Sequence, residues 1–118
     1  DKDGASAFQT FQMLDHDDRL DLRCWVTFSG HHLDKIIELG LRTGYGNDRL
    51  RVGHLKYFSD GGMGARTAWV IDPYLDADCG MPLVDMNVLS QDIEKADRAG
   101  LSVMVHAVGD RAAVEADA

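Results

Sequence analysis

The sequence is poor in cysteine and proline, with two of each among its 118 residues. Cys24 and Cys79 lie far apart and form no CxxC pairing, which argues against both a disulfide framework and a zinc knuckle. We therefore expect two plain thiols in a reducing compartment.

Basic residues are also scarce: the chain has 12 Lys and Arg and 20 Asp and Glu, which gives a formal net charge of −8. Without a basic cluster to neutralise phosphates, a nucleic-acid-binding surface is not expected. No apolar run reaches the roughly 18 residues of a membrane span, and no charged-then-apolar leader opens the chain. We therefore expect a cytoplasmic protein that acts on a small molecule, with neither nucleic acid nor membrane as a partner.

In other respects the composition is ordinary for a globular chain, with 45% hydrophobic residues. The length fits at most one domain. The chain begins without a methionine and stops within a helical pattern. We therefore expect residues 1–118 to be a central piece of a single, longer domain.

Helical and strand patterns alternate along the chain. Strand-forming residues predict strands over 22–28, 51–58 and 101–106. Helical spacing and stop signals predict helices over 5–14, over 33–39, from a cap at Ser90 to Gly100, and from 111 onward. The stretch 59–87 is predicted to be irregular. Such alternation favours a parallel α/β sheet or part of a barrel, in which chemistry gathers at the carboxyl ends of the strands.

Two polar side chains lie near such strand ends, Lys56 and His106. Period-two alternation predicts that Lys56 shares one strand face with Val52, His54 and Phe58. A lysine on a buried strand costs free energy unless it is paired, neutralised or modified. From the residues alone, two alternatives remain open. Lys56 can be interpreted as a lysine that reaches solvent, and His106 as a structural histidine.

The runs around both residues together resemble the amidohydrolase superfamily, specifically amidohydrolase family 3, over nearly the whole chain. The resemblance rests on Val-Gly-His-Leu-Lys-Tyr-Phe-Ser-Asp-Gly at 52–61, Gly-Ala-Arg-Thr-Ala at 64–68, Pro-Tyr at 73–74, and His-Ala-Val-Gly-Asp-Arg-Ala at 106–112.

This resemblance implies a partial (β/α)₈ TIM barrel of about three parallel strands. In similar enzymes the strand lysine is often carboxylated and bridges two divalent metals, and the next strand ends in a histidine ligand. If these roles are transferred to this sequence, the metal ligands are Lys56 and His106. The cofactor is then one or two divalent ions, and zinc is the expected metal. Burial favours the uncharged amine from which a carbamate forms.

The other ligands of the family, a His-x-His pair, a later histidine and a catalytic aspartate, are expected outside this chain. His31 and His32 are adjacent and do not replace the pair, so we interpret them as loop or first-turn residues. His54 departs from the family, since a small residue is usual two positions before the lysine. That departure indicates either an adaptation deeper in the barrel or a change of strand register.

Three further residues are candidates for substrate contact or for supporting the ligands: Asp60, Arg66 and Asp110. Asp60 and Arg66 flank a glycine-rich loop that lacks the Gly-Lys-Ser/Thr ending of a phosphate-binding loop. Asp110 is expected either to orient His106 or to cap the helix that it opens.

The sequence thus predicts a piece of a metal-dependent amidohydrolase that hydrolyses amide, N-acyl or cyclic amide C–N bonds with a metal-activated water. A non-catalytic α/β domain with structural Lys56 and His106 is the alternative, and a phosphate-binding barrel enzyme is a third. The piece alone is expected to be inactive and to bind metal weakly. Its open strand edges and an apolar face bearing Cys24, Val26, Val103 and Val105 predict a homo-oligomer.

Overall fold

The computed structural model describes residues 4–118, with side chains from Ser6 onward. The helices are α1 (Gly4–His16), α2 (Leu33–Glu38), α3 (Met86–Arg98) and α4 (Asp110–Asp117), and the strands are β1 (Cys24–Ser29), β2 (Leu50–Phe58) and β3 (Val103–His106). A short 3₁₀ turn, Gly30–His32, precedes α2. None of the helices within 4–118 has the length and apolar character needed to cross a bilayer.

The strands form one three-stranded sheet in the order β1-β2-β3, with β1 parallel to β2. Helices separate consecutive strands along the chain, as expected for parallel strands that need a crossover connection. The predicted α/β fold with three parallel strands is confirmed. Gly40 and Gly100 end α2 and α3 with positive φ angles of 70° and 74°, so the predicted glycine stops are confirmed as well.

The chain divides into two compact units. The first comprises the residues through Lys56 together with Glu94–Met104, and the second comprises Tyr57–Ile93 together with Val105–Ala118.

In the first unit, α1 packs on β1 through Phe8 and Phe28, whose rings meet edge to face at 5.2 Å between centroids. The buried apolar residues beside them include Val26, Val52 and Leu55, which are 6%, 1% and 1% exposed. The opposite side of β1 carries Trp25, which is 47% exposed. The prediction that Val26 lies on the open apolar face is therefore wrong, because α1 covers the side of β1 to which Val26 belongs.

A register shift interrupts the pairing of β1 with β2. Val26 is opposite Val52, but Phe28 is opposite Leu55, so β2 accommodates one more residue than β1 between these pairs. This extra residue is a β-bulge, and it lets both Val52 and Leu55 point into the buried side. Val52 and Lys56 therefore do not share a face, and the alternation predicted along this strand is wrong at the bulge.

Helix α3 begins at Met86, four residues before the predicted cap. One carboxylate oxygen of Asp85 accepts hydrogen bonds from the backbone N–H groups of Asn87 at 2.9 Å and Val88 at 3.1 Å. Asp85 therefore caps the helix, and the prediction of Ser90 as the cap is wrong.

Candidate functional site

His106 ends β3 and lies against the Ser59-Asp60-Gly61 segment in the second unit. The Ser59 hydroxyl and backbone N–H both donate to the His106 carbonyl oxygen, at 2.6 and 2.9 Å. The His106 ring nitrogen Nε2 lies 2.8 Å from the Gly61 carbonyl oxygen, and the Phe58 ring is 5.0 Å away between centroids. Both the main chain and the ring of His106 are thus held by the residues that follow β2.

The contact with Gly61 sets the protonation of the neutral ring. A backbone carbonyl only accepts hydrogen bonds, so Nε2 carries the proton and donates. Nδ1 of the neutral His106 ring then holds a lone pair. Metal-binding histidines commonly donate their other ring N–H to a carbonyl or carboxylate in this way, so His106 has the chemistry of a metal ligand through Nδ1.

Asp60 is completely buried, and its carboxylate accepts three backbone hydrogen bonds. Oδ1 accepts from Val108 at 3.0 Å, and Oδ2 accepts from Gly109 at 2.7 Å and from Trp69 at 2.8 Å. Oδ1 also lies 3.7 Å from Nε2 of His106. The carboxylate therefore joins three segments: the end of β2, the long irregular stretch, and the turn after β3.

These contacts set the charge state of Asp60. Burial alone raises the pKa of a carboxyl group, but the backbone N–H groups of Val108, Gly109 and Trp69 outweigh that effect, with a further contribution from His106. The pKa of Asp60 consequently lies below its ordinary value, and the buried group is an anion at neutral pH.

The turn between β3 and α4 approaches the Trp69 backbone very closely. A Cβ atom placed on Gly109 would lie 1.9 Å from the Trp69 carbonyl oxygen, so only glycine fits there. The same carbonyl accepts a hydrogen bond from the Ala112 N–H at 3.1 Å, and the Arg111 guanidinium lies 4.8 Å from the centre of the Trp69 ring. Trp69 is thus fixed at the start of α4.

The side chain of Asp110 connects the start of α4 to the irregular stretch. Its Oδ1 accepts hydrogen bonds from the N–H groups of Ile71 and Arg111, at 2.9 and 2.8 Å, and the cap residue of α4 is Gly109. The carboxylate beside His106 belongs to Asp60 instead. Asp110 therefore anchors the irregular stretch and accepts one N–H of the first turn of α4, and a role for it in the site stays a prediction.

Arg66 lies on the exposed turn of the glycine-rich loop with a positive φ of 55°. Its guanidinium forms an ion pair with Asp76 at 2.5 Å, and both side chains are at least half exposed. Because the pair lies at the surface, it contributes at most about 1 kcal/mol to stability. The structure thus gives Arg66 a contact within the loop, which extends from Ser59 to Asp85 without helix or strand.

Lys56 belongs to the first unit, on β2 two residues before the end of that strand. It is opposite Ser29 in the register, one position after the buried Leu55, and it is partly exposed.

His54 lies within the bulge, with its ring 5.7 Å from that of Trp25 between centroids. Its Nδ1 is buried without a hydrogen-bond partner among the described residues.

No group of three His, Cys, Asp or Glu side chains within residues 4–118 is arranged to hold a metal ion. The described part of the chain offers individual ligands, of which His106 fits best by its hydrogen bonding. His31 and His32 lie in the 3₁₀ turn before α2, which agrees with their interpretation as first-turn residues.

Two residues that shape this site, Ser59 and Trp69, are assigned no role by the sequence analysis. Ser59 is fully buried and contacts the His106 carbonyl, while Trp69 acts mainly through its backbone N–H and carbonyl. Contacts made by the main chain leave no pattern in side-chain type. The neighbouring Asp60-Gly61 pair, directly after a strand, was the one available signal.

Comparison with known proteins identifies the family to which this chain belongs. The profile described as "Amidohydrolase family" matches residues 1–117. The chain therefore belongs to the amidohydrolase family, and the predicted family membership is confirmed.

Two solved structures described as uncharacterized metal-dependent hydrolases match 93% of this chain. The one from Pyrococcus horikoshii OT3 has a TM-score of 0.85 and 34% identity, and the one from Pyrococcus furiosus has a TM-score of 0.83 and 36% identity. The chain spans 23% and 24% of the length of these proteins.

Curated relatives show the same partial coverage. The protein LONG AFTER FAR-RED 3 of Arabidopsis thaliana is 30% identical over 101 residues, which are 83% of this chain and 17% of that protein. The putative amidohydrolase YtcJ of Bacillus subtilis is 42% identical over 62 residues, which are 51% of this chain and 12% of that protein. The chain thus matches less than a fifth of the length of either relative.

Proposed function

We propose that this chain is part of a metal-dependent amidohydrolase that cleaves C–N bonds of small amide, N-acyl or cyclic amide substrates. Family membership and the metal-dependent hydrolase neighbours support a hydrolase in general. The observation that supports the proposal at the level of residues is the hydrogen bond of His106 Nε2 to the Gly61 carbonyl oxygen, which leaves the lone pair of the neutral ring on Nδ1.

In this proposal Lys56 and His106 each contribute a metal ligand, Lys56 after carboxylation of its amine, and the barrel and its remaining ligands come from other parts of the enzyme. A divalent metal such as zinc, when bound, supplies Lewis acidity that activates water and polarises the substrate carbonyl. The residues of this chain orient that centre: Asp60 and Gly61 hold the His106 ring, and Ser59 holds its main chain.

The enzyme that contains this chain should hydrolyse small amide, N-acyl or cyclic amide substrates, lose that activity on chelation, and recover it with zinc. His106→Ala and Lys56→Ala should each lower kcat/KM by at least about 100-fold, since loss of ligand support alone costs about 10- to 100-fold. The matched control is His16→Ala, which removes an exposed histidine at the end of α1 and should leave kcat/KM unchanged.

Metal content measured on the same samples separates ligand loss from unfolding. Activity that persists through chelation, or full metal content in both variants, would contradict the proposal. The 118-residue chain alone should show no turnover and zinc binding weaker than micromolar by calorimetry, because its ligand set is incomplete.

The alternative function, a non-catalytic α/β domain with structural Lys56 and His106, predicts a different result. His106→Ala would then lower the free energy of unfolding without changing bound metal. The hydrogen bonds of His106 to Ser59 and Gly61 suit either function, and it is family membership that favours the hydrolase.

A further inference from the structure

The His106 ring is held in one of two possible neutral forms. A histidine in water exchanges its proton between Nδ1 and Nε2, and the hydrogen bond made by one nitrogen fixes the state of the other. In this structure Nε2 is 2.8 Å from the Gly61 carbonyl and 3.7 Å from Oδ1 of Asp60. Both neighbours are acceptors, so a lone pair on Nε2 would face two oxygens and be repelled.

The Gly61 carbonyl owes its position to the residue before it. Asp60 is fully buried and bound to the backbone N–H groups of Val108, Gly109 and Trp69, so residue 60 cannot shift without breaking three charge-assisted hydrogen bonds. Val108 and Gly109 follow His106 by two and three positions. The carboxylate therefore ties the acceptor for Nε2 to the same turn that carries the ring.

We infer that Asp60 is a positioning residue for His106: it fixes the Nε2–H tautomer and the ring orientation, and thereby selects Nδ1 as the atom that meets a metal. The selection of tautomer stands on the hydrogen bonds alone, whereas its use in metal binding rests on the proposed function. Asp60 itself contacts no ligand in this scheme, because both of its oxygens are engaged with the main chain.

Nitrogen-15 NMR of the protein labelled at histidine tests the tautomer directly. In alkaline solution, long-range proton–nitrogen correlations should show His106 wholly in the Nε2–H form. Observing the Nδ1–H form in the unaltered protein would overturn the inference without any variant being needed.

Asp60→Asn tests the role of the carboxylate, and Asp110→Asn is its matched control. Asp110 binds the same irregular stretch through Ile71 but does not contact the His106 ring. In Asp60→Asn the Nε2–H form should give way to a mixture of tautomers, while in Asp110→Asn it should remain. If both variants change the His106 signals equally, or Asp60→Asn changes nothing, the state of the His106 ring does not depend specifically on the Asp60 carboxylate and the inference fails.

The metal step has its own readout in cadmium-113, which couples to the nitrogen that binds it. The enzyme containing this chain, loaded with cadmium, should show coupling to Nδ1 of His106 and none to Nε2. Coupling to Nε2 would overturn the selection of Nδ1. If His106 shows no cadmium coupling but keeps the Nε2–H form, the proposed function fails while the tautomer assignment stands.

Discussion

At the scale of single residues, the buried Asp60 gives the chain a specific sensitivity to acid. Its pKa is lowered in the folded state, mainly because backbone N–H groups outweigh the effect of burial. The stabilisation that this shift provides is fully present above the unfolded pKa of about 3.9 and is lost as the pH falls through the lower folded value. Acid therefore weakens the fold by protonating Asp60.

Asp60→Asn should remove that part of the pH dependence. At neutral pH we expect a loss of about 1–3 kcal/mol in the free energy of unfolding, because backbone N–H groups lose a charged acceptor. Below about pH 4 the variant should follow a flatter curve than the unaltered protein. Urea unfolding across pH measures both effects, with the exposed Asp48→Asn as control. Parallel curves for the unaltered protein and Asp60→Asn would contradict this assignment.

The sequence identified Asp60, Lys56 and His106 as residues of interest, but it could not supply the partners of Asp60. Those partners are backbone N–H groups of residues 69, 108 and 109, which become neighbours only after the long stretch folds back. The contact of Asp110 with Ile71 could not be predicted for the same reason, since Ile71 is 39 positions away. Side-chain patterns indicate chemistry, whereas these contacts depend on tertiary structure.

At the scale of elements, periodicity predicted every helix and strand but missed the bulge in β2. Gly53 inside a strand pattern is compatible with a bulge, but the extra residue is established only by the pairing with β1. The start of α3 was missed because Ile93 and Ala96 suggested where the apolar face begins. Leu89, which is 2% exposed, already belongs to that face one turn earlier.

The bulge depends on Gly53. A Cβ atom there would lie 2.5 Å from Cδ1 of Trp25 and 2.6 Å from the Val26 carbonyl oxygen, and the latter belongs to the backbone and cannot rotate away. Gly53→Ala should therefore lower the free energy of unfolding by about 1–3 kcal/mol. Gly62→Ala is the control, because nothing lies within 4 Å of its added Cβ and the change should be within about 0.5 kcal/mol. Equal urea midpoints for the two variants would argue against the bulge geometry.

The cap of α3 can be tested by a pair of alanine substitutions. Asp85→Ala removes the acceptor for the Asn87 and Val88 N–H groups and should cost about 1 kcal/mol. Ser90→Ala changes an exposed position inside the helix and should be neutral or slightly stabilising, since alanine favours helix. Thermal unfolding followed by circular dichroism ranks the two. A larger loss for Ser90→Ala would return the cap to its originally predicted position.

At the scale of the whole molecule, the prediction of self-association depends on which residues of the sheet are exposed. β1 and β3 are the outer strands of the described sheet, and outer strands present unpaired backbone groups. Trp25 and Met104 are 47% and 42% exposed, whereas Val26, which the sequence predicts for the open face, is buried. We propose that a homo-oligomer forms through the strand positions of Trp25 and Met104.

Sedimentation velocity at micromolar concentration provides the test. The unaltered chain should sediment as a dimer or larger species, and Trp25→Arg or Met104→Lys should shift it toward the monomer, because a charge at an apolar contact must be desolvated. Met13→Lys is the matched control, since Met13 is 62% exposed on α1 rather than on the sheet and should leave the association unchanged. A monodisperse monomer that unfolds cooperatively would show that this sheet is stable without a partner, and an equal effect of all three substitutions would place the contact elsewhere.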